Sequence, residues 1–176
     1  MAATDRQTAS GALLRQLAAV PPGTRVLEVA CADGHHTAPI AALGFDVWAC
    51  DPDPAHVAAT RRQLDAALGA GEGDRRVAQA APDALGYPDA FADWVVASAL
   101  TGTSPELVEA LREARRVLAP GGWLWIELAT DVAASPEALR ALALVADLSE
   151  AETPSLDAER GTVRGTFRRV EGGTVG

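Results

Sequence analysis

The feature that most constrains the fold is a regular alternation between short apolar segments and longer amphipathic ones. The apolar segments have the length of buried strands, and the amphipathic ones carry apolar residues at helical spacing. This alternation predicts a mostly parallel sheet that is covered by helices on both faces. We predict strands over residues 25–31, 45–50, 76–80, 94–98 and 123–128, and helices over residues 8–20, 37–43, 54–68, 105–118 and 135–148.

The remaining segments predict the connections and the domain boundaries. Residues 69–74 are expected to form a glycine-rich loop, and Pro120, Gly121 and Gly122 a turn before the fifth strand. Residues 153–157 and 162–170 are expected to pair as terminal antiparallel strands. A chain of 176 residues suits a single domain over residues 1–176. Within it, residues 1–22 would form a short N-terminal helix and partial lid, and residues 23–170 the core.

The charge balance excludes several kinds of chemistry. The formal net charge is −9, which disfavours nucleic acid and anionic membranes as main partners because both attract basic surfaces. All 15 basic residues are arginine, so the chain has no lysine for a Schiff base, a phosphate-binding loop or a general base.

The cysteines and the N-terminus indicate a reducing compartment. Cys31 and Cys50 are too few for a disulfide framework, and no Cys or His spacing predicts a metal site. We expect both side chains to be buried, because they end neighbouring strands. The first ten residues lack the apolar core of a signal peptide, and no apolar run is long enough to span a membrane. We therefore expect a cytoplasmic protein.

Acidic and small residues follow the first two predicted strands. Glu28 is followed by small residues at alternate positions, Ala30, Ala32 and Gly34, which allow a ligand to approach the backbone closely. The helix after them would direct its N-terminal N–H groups at that ligand. Asp51 ends the second strand, where a carboxylate can accept hydrogen bonds from two neighbouring ribose hydroxyls. The pattern predicts a nucleoside-containing ligand at the carboxyl ends of the strands.

Three segments in this order resemble the class I S-adenosylmethionine-dependent methyltransferases. They are P-P-G-T-R-V-L-E-V-A-C-A-D-G at residues 21–34, Asp51, and L-A-P-G-G-W-L at residues 118–124. The segments L-G-Y-P-D at residues 85–89 and D-W-V-V at residues 93–96 add to the resemblance, which extends over about residues 23–170.

The resemblance implies a Rossmann-like α/β three-layer sandwich with a seven-stranded, mostly parallel sheet. Its strand order would be 3-2-1-4-5-7-6, with strand 7 antiparallel. It also implies S-adenosylmethionine as the cofactor and S-adenosylhomocysteine as the product. By the same resemblance, Glu28 lies near the methionine amino group, Asp51 holds the ribose and Ser98 faces the methionine. The other implied cofactor contacts are Ala30, Cys31, Ala32, Gly34, Pro52, Ala81, Pro82 and Asp83.

The sequence departs from the family pattern at three positions. Ala30 and Ala32 occupy the places of the first two glycines of the family loop. Ala81 lies where an acidic residue often meets the adenine amine, and Asp83, two residues later, is a candidate replacement. These departures bear on cofactor affinity more than on the fold.

Methyl transfer requires little chemistry from the protein, because the sulfonium already activates the leaving group. The site must align the acceptor with the methyl group and exclude water. A general base is needed only for a protonated acceptor. The candidates are His35, Tyr87 and Asp131, followed by Asp89 and Glu127. A packing or capping role is the alternative for each of them, and it is the interpretation we favour for His36.

Alternative functions follow from the same residues. The leading hypothesis is a methyltransferase acting on nitrogen or oxygen of a small molecule. A non-catalytic protein that binds S-adenosylmethionine or S-adenosylhomocysteine on a degenerate scaffold is the alternative, favoured by Ala30, Ala32 and Ala81. An oxidoreductase is disfavoured because no G-x-G-x-x-G follows the first strand. The short segment before that strand leads us to expect a homodimer or a large, partly exposed acceptor.

Overall fold

The computed structural model describes residues 10–170, which form a seven-stranded sheet between two layers of helices. The strands are β1 (Arg25–Val29), β2 (Asp46–Asp51), β3 (Val77–Gln79), β4 (Ala92–Ala97), β5 (Leu118–Ala129), β6 (Ser149–Asp157) and β7 (Thr162–Arg168). Their order is β3-β2-β1-β4-β5-β7-β6. Strands β1 to β5 pair in parallel, and β7 is antiparallel to both neighbours. The predicted fold class is confirmed.

Helices connect the strands as the alternation predicts. They are α1 (Gly11–Leu17), α2 (Thr37–Ala42), α3 (Pro54–Leu68), α4 (Glu72–Arg76), α5 (Ser104–Val117) and α6 (Pro136–Val145). Asp53 and Ser135 cap α3 and α6 by accepting hydrogen bonds from backbone N–H groups. Residues 8 and 9 of the first predicted helix lie outside the described residues. In the described part of the chain, no helix is long and apolar enough to cross a membrane.

Each face of the sheet has its own core. Leu27 and Val29 of β1 point into a core that α5 and α6 cover. Val26 of the same strand points to the opposite side, where α1, α2 and α3 pack. Because side chains alternate along a strand, Glu28 shares the second face with Val26. Glu28 is therefore a carboxylate buried under α2, one residue before the end of β1.

The predicted loop over residues 69–74 is wrong in its second half, because a short helix, α4, begins at Glu72. Gly73 makes this possible, since a Cβ there would lie 2.3 Å from the backbone oxygen of Arg61 in α3. Its N–H also donates to the carboxylate of Asp65 at 2.8 Å. Gly73 therefore allows α3 and α4 to pack closely, which the glycine content of the segment alone does not reveal.

The predicted turn at residues 120–122 is also wrong, because these residues belong to β5. The ladder between β4 and β5 pairs Ala92 with Leu118 and then Trp94 with Trp123, which leaves a bulge between the two pairs. Gly121 adopts a φ of 75° in this bulge, and its N–H donates to the carbonyl of Arg169 at 2.9 Å. Hydrogen bonds across the bulge thus keep the segment within the sheet.

Candidate active site

Glu28 provides a buried and only partly satisfied carboxylate at the carboxyl edge of the sheet. Its side chain is fully buried, and Thr37 at the start of α2 donates a hydrogen bond to Oε2. Oε1 lies 3.4 Å from Nδ1 of His36 but accepts no hydrogen bond from any described residue. A buried carboxylate oxygen without a donor is costly, and a cationic group of a ligand would relieve that cost.

His36 is held between α1 and β4 by hydrogen bonds at both ring nitrogens. The backbone N–H of Ser10 donates to Nε2 at 3.0 Å, so this nitrogen carries no proton. Nδ1 therefore holds the proton and donates to Oγ of Ser98 at 3.1 Å. The ring is buried, as we expected of a packed residue, but it also orients Ser98, one of the predicted cofactor contacts. The sequence alone gave no reason to link His36 with Ser98, because the two are far apart in the chain.

The loop after β1 has the backbone of a glycine loop although two of its residues are alanines. Ala30 and Ala32 have φ angles of 54° and 50°, in the left-handed region that glycine usually occupies. Gly34 has a φ of 82°, and a Cβ there would lie 3.0 Å from Oγ1 of Thr60 in α3. The loop therefore bends sharply, and the two alanine methyl groups do not prevent that bend.

Asp51 ties the end of β2 to this loop. It is buried, and its Oδ2 accepts the N–H of Ala32 at 2.9 Å. Oδ1 accepts the N–H of Asp53 at 2.9 Å and a hydrogen bond from Nδ1 of His56 at 3.0 Å. His56 was missed in the sequence analysis. Its position in the first turn of α3 is a usable signal, because helical side chains there point back towards the preceding strand.

The two cysteines are buried thiols. Both are free, and burial raises the pKa of Cys50 to about 12 and raises that of Cys31 still further. Sγ of Cys31 lies 3.5 Å from the hydroxyl of Thr60, on the helix that packs against the loop. Neither cysteine is therefore a thiolate nucleophile at neutral pH.

Tyr87, a candidate base in the sequence analysis, is engaged in packing. Its ring stacks on Phe91 at 4.6 Å and meets Trp48 edge to face. Its hydroxyl donates to the carbonyl of Ala49 at 3.2 Å, and burial raises its pKa. A phenol that is bonded to the backbone and has a raised pKa is a poor proton acceptor, so the geometry disfavours a catalytic role.

The other predicted residues lie in loops at the carboxyl edge. His35 lies 3.1 Å from the carboxylate of Asp33, and its ring is 4.1 Å from that of His36. Asp131 is exposed in the loop after β5. The segment from Ala81 to Asp83 forms a tight turn through a bridge between Ala81 and Ala84, and Pro52 accepts a hydrogen bond from the side chain of Gln79.

Glu127, near the end of β5, is a second buried acid. Its side chain is only 6% exposed, and Oε2 accepts no hydrogen bond from the described residues. It shares a face of the sheet with Trp125, whose ring meets that of His36 edge to face at 6.1 Å. The register pairs Ala97, the last residue of β4, with Ile126, so Ser98 just after β4 and Glu127 on β5 follow as neighbours.

The loops at this edge carry negative charge. The segments that follow β1 to β5 cover residues 30–36, 52–53, 80–91, 98–103 and 130–135, and none of them contains an arginine. Asp33, Asp53, Asp83, Asp89 and Asp131 lie in them, in addition to the buried Glu28, Asp51 and Glu127, although Asp89 pairs with Arg116 towards the opposite edge. The potential at the edge therefore favours a cationic ligand.

The chain is similar to known methyltransferases in sequence profile and in fold. The profile of the family described as "Methyltransferase domain" matches residues 27–126. No curated protein sequence matches the chain.

Three solved structures illustrate the range of proteins that share this fold. An S-adenosylmethionine-dependent methyltransferase of Methanosarcina mazei has a TM-score of 0.72 at 14% identity, with 92% of this chain and 99% of that one covered. The [4+2]-cyclase SpnF has a TM-score of 0.72 at 18% identity, covering 92% and 80%. The CurJ carbon methyltransferase has a TM-score of 0.67 at 13% identity, covering 90% and 52%.

Proposed function

Because the chain belongs to the methyltransferase domain family and is an S-adenosylmethionine-dependent methyltransferase, its acceptor is the open question. We propose that it methylates nitrogen or oxygen of a small-molecule acceptor. Transfer would be a direct displacement at the methyl carbon. The acidic carboxyl edge supports a small acceptor over nucleic acid, whose phosphates the negative potential repels.

The unpaired Oε1 of Glu28 is the observation that carries the assignment of the cofactor site. It is a buried acceptor at the end of β1, and the methionine amino group is the matching donor. Asp51 would hold the ribose, and the left-handed backbone at Ala30 and Ala32 would let the cofactor lie against the loop. The proposed contacts are Glu28, Ala30, Cys31, Ala32, Gly34, Asp51, Pro52, Ala81, Pro82, Asp83 and Ser98.

When bound, the cofactor supplies a methyl group that its sulfonium already activates. The residues of the chain then have to bind, orient and exclude water. His36 fixes the hydroxyl of Ser98, while Glu28 would hold the methionine amino group near the end of β1 and Asp51 would hold the ribose at the end of β2. Of the candidate bases, His35 and Asp131 lie at the correct edge and remain proposals.

Calorimetric titration with S-adenosylmethionine and S-adenosylhomocysteine tests the cofactor site. We expect micromolar binding that Asp51→Ala weakens by about tenfold or more, because two charge-assisted hydrogen bonds are lost. Asp74→Ala is the matched control, since Asp74 is exposed and pairs only with Arg61 at the surface. A folded protein that binds neither ligand at millimolar concentration would contradict the proposal.

The oligomeric state and the cellular location of the protein form the rest of the proposal. We propose a soluble cytoplasmic enzyme that acts as a homodimer on its small-molecule acceptor. Light scattering of the purified protein tests the dimer directly. The mass of a monomer would contradict this part of the proposal.

A further inference from the structure

Glu127 has no function in the cofactor site as proposed, although it is a buried acid beside it. Taking charge into the protein interior costs free energy unless a partner offsets it. A candidate partner in the sheet is Arg164, which lies directly opposite on β7, but its guanidinium is 3.5 Å from the carboxylate of Asp157. Oε2 of Glu127 therefore has a vacant acceptor position that no described residue fills.

The order of the strands places this position beyond the cofactor. Asp51 ends β2 and Glu28 lies on β1, and these are the proposed ribose and amino-group contacts. The next strands along the edge are β4, which Ser98 directly follows, and then β5, which carries Glu127. Neighbouring strands are about 4.8 Å apart, so Glu127 lies about 10 Å from β1 on the same face. A molecule bound there would lie next to the methionine end of the cofactor.

We propose that Glu127 is the residue that recognises the acceptor, and that the acceptor is a small protonated amine. This inference rests on the proposed function. A buried carboxylate favours a cation over a neutral hydroxyl, since only the cation offsets its charge. The loops that follow β1 to β5 contain no arginine, so they favour the same sign of ligand charge and would repel a carboxylate or phosphate ester.

In this arrangement one proton passes from the bound ammonium to the carboxylate of Glu127. The nitrogen lone pair then forms a bond to the methyl carbon, while the bond from that carbon to sulfur breaks and its electron pair remains on sulfur. The amine leaves as a methylated ammonium, and Glu127 returns its proton to solvent.

Benzylammonium and benzyl alcohol form a matched pair of probes, because they differ in charge and hardly in shape. Each is titrated calorimetrically into the complex of the protein with S-adenosylhomocysteine. We expect benzylammonium to bind about tenfold more tightly or better, and Glu127→Gln to abolish this preference without changing the affinity for S-adenosylhomocysteine. Glu127→Asp keeps the charge and should retain part of the preference, which also covers the case that the glutamine variant does not fold.

Glu159→Gln is the control for a general loss of negative charge. Glu159 is exposed in the turn before β7, at the same edge of the sheet, so its variant should keep the preference for benzylammonium. The proposal is overturned if wild-type protein binds both probes equally, if the preference survives in Glu127→Gln, or if millimolar benzylammonium does not bind to a complex that contains S-adenosylhomocysteine. Failure of S-adenosylhomocysteine itself to bind would instead overturn the proposed function on which this inference rests.

Discussion

The two edges of the sheet treat charged groups in opposite ways. At the amino edge, Asp46 accepts hydrogen bonds from Arg25 at 2.9 Å and from Arg76 at 2.5 Å. Arg116 is bonded there to Glu113 and Asp89. At the carboxyl edge, two buried glutamates each keep one oxygen without a donor among the described residues, and the loops that follow β1 to β5 contain no arginine.

This difference separates the part of the molecule that stabilises the fold from the part that is prepared for a ligand. Paired charges and stacked rings, such as Trp94 on Trp123 at 5.6 Å, contribute to the free energy of folding. Unpaired buried acids and alanines in the left-handed region reduce the stability of the fold. They persist because the surrounding structure holds them in place. Polar groups that folding leaves unsatisfied are available to bind ligand.

Arg76→Ala removes ion pairs of the amino edge and should have the largest effect on stability. Its side chain is 13% exposed, and it bonds Glu72, Asp46 and the carbonyl of Val47. We expect a loss of about 2 kcal/mol in the free energy of unfolding, since Asp46 and Glu72 each lose one partner and the carbonyl of Val47 loses its donor. Urea denaturation measures this loss. Arg75→Ala is the control, because Arg75 is about half exposed and pairs only at the surface, so its loss should be within about 0.5 kcal/mol.

The pH dependence gives a second test of the same pair. Burial by itself raises the pKa of Asp46, but hydrogen bonds from Arg76, Arg25 and Trp48 outweigh it and lower the pKa below its ordinary value. The pair therefore stabilises the fold above the ordinary carboxyl pKa of about 4, and this contribution is lost as the pH falls through the lowered value. The difference between wild type and Arg76→Ala should shrink on acidification over that range, and a constant difference would contradict this account.

The sequence was sufficient to predict the sheet and the position of Asp51, but not the pairing of buried groups. Strand ends are local features, and an acid at the end of an apolar run identifies the carboxyl edge without tertiary information. The burial of Glu127 depends on β7, more than thirty residues later, and the bond from His36 to Ser98 joins distant segments. The helix α4 was missed for the same reason, because Gly73 acts through its contact with α3.

Ala32→Gly should remove strain from the carboxyl edge. An L-residue in the left-handed region costs about 1–2 kcal/mol, of which glycine recovers about 1 kcal/mol after its larger unfolded-state entropy is counted. Urea denaturation should show that gain. Ala90→Gly is the matched control, because Ala90 has a φ of 55° near the amino edge. Both variants should be more stable, whereas only Ala32→Gly should change the affinity for S-adenosylhomocysteine. An equal affinity change in both would mean that strain, and not the position of the loop, is responsible.

His56→Ala should have the smallest effect, because it changes a single hydrogen bond to one carboxylate of the carboxyl edge, Asp51. A carboxylate offers about four acceptor positions, and three on Asp51 are filled by Ala32, Asp53 and His56. Two ribose hydroxyls need two positions, so a bound ribose must displace His56, whose side chain is 45% exposed. We expect His56→Ala to bind adenosine about two- to threefold more tightly, as a weak exposed hydrogen bond no longer competes. The affinity for 2′,3′-dideoxyadenosine, which lacks both hydroxyls, should not change. Weaker binding of both nucleosides would show instead that His56 itself contacts the ligand, at a group other than the ribose hydroxyls.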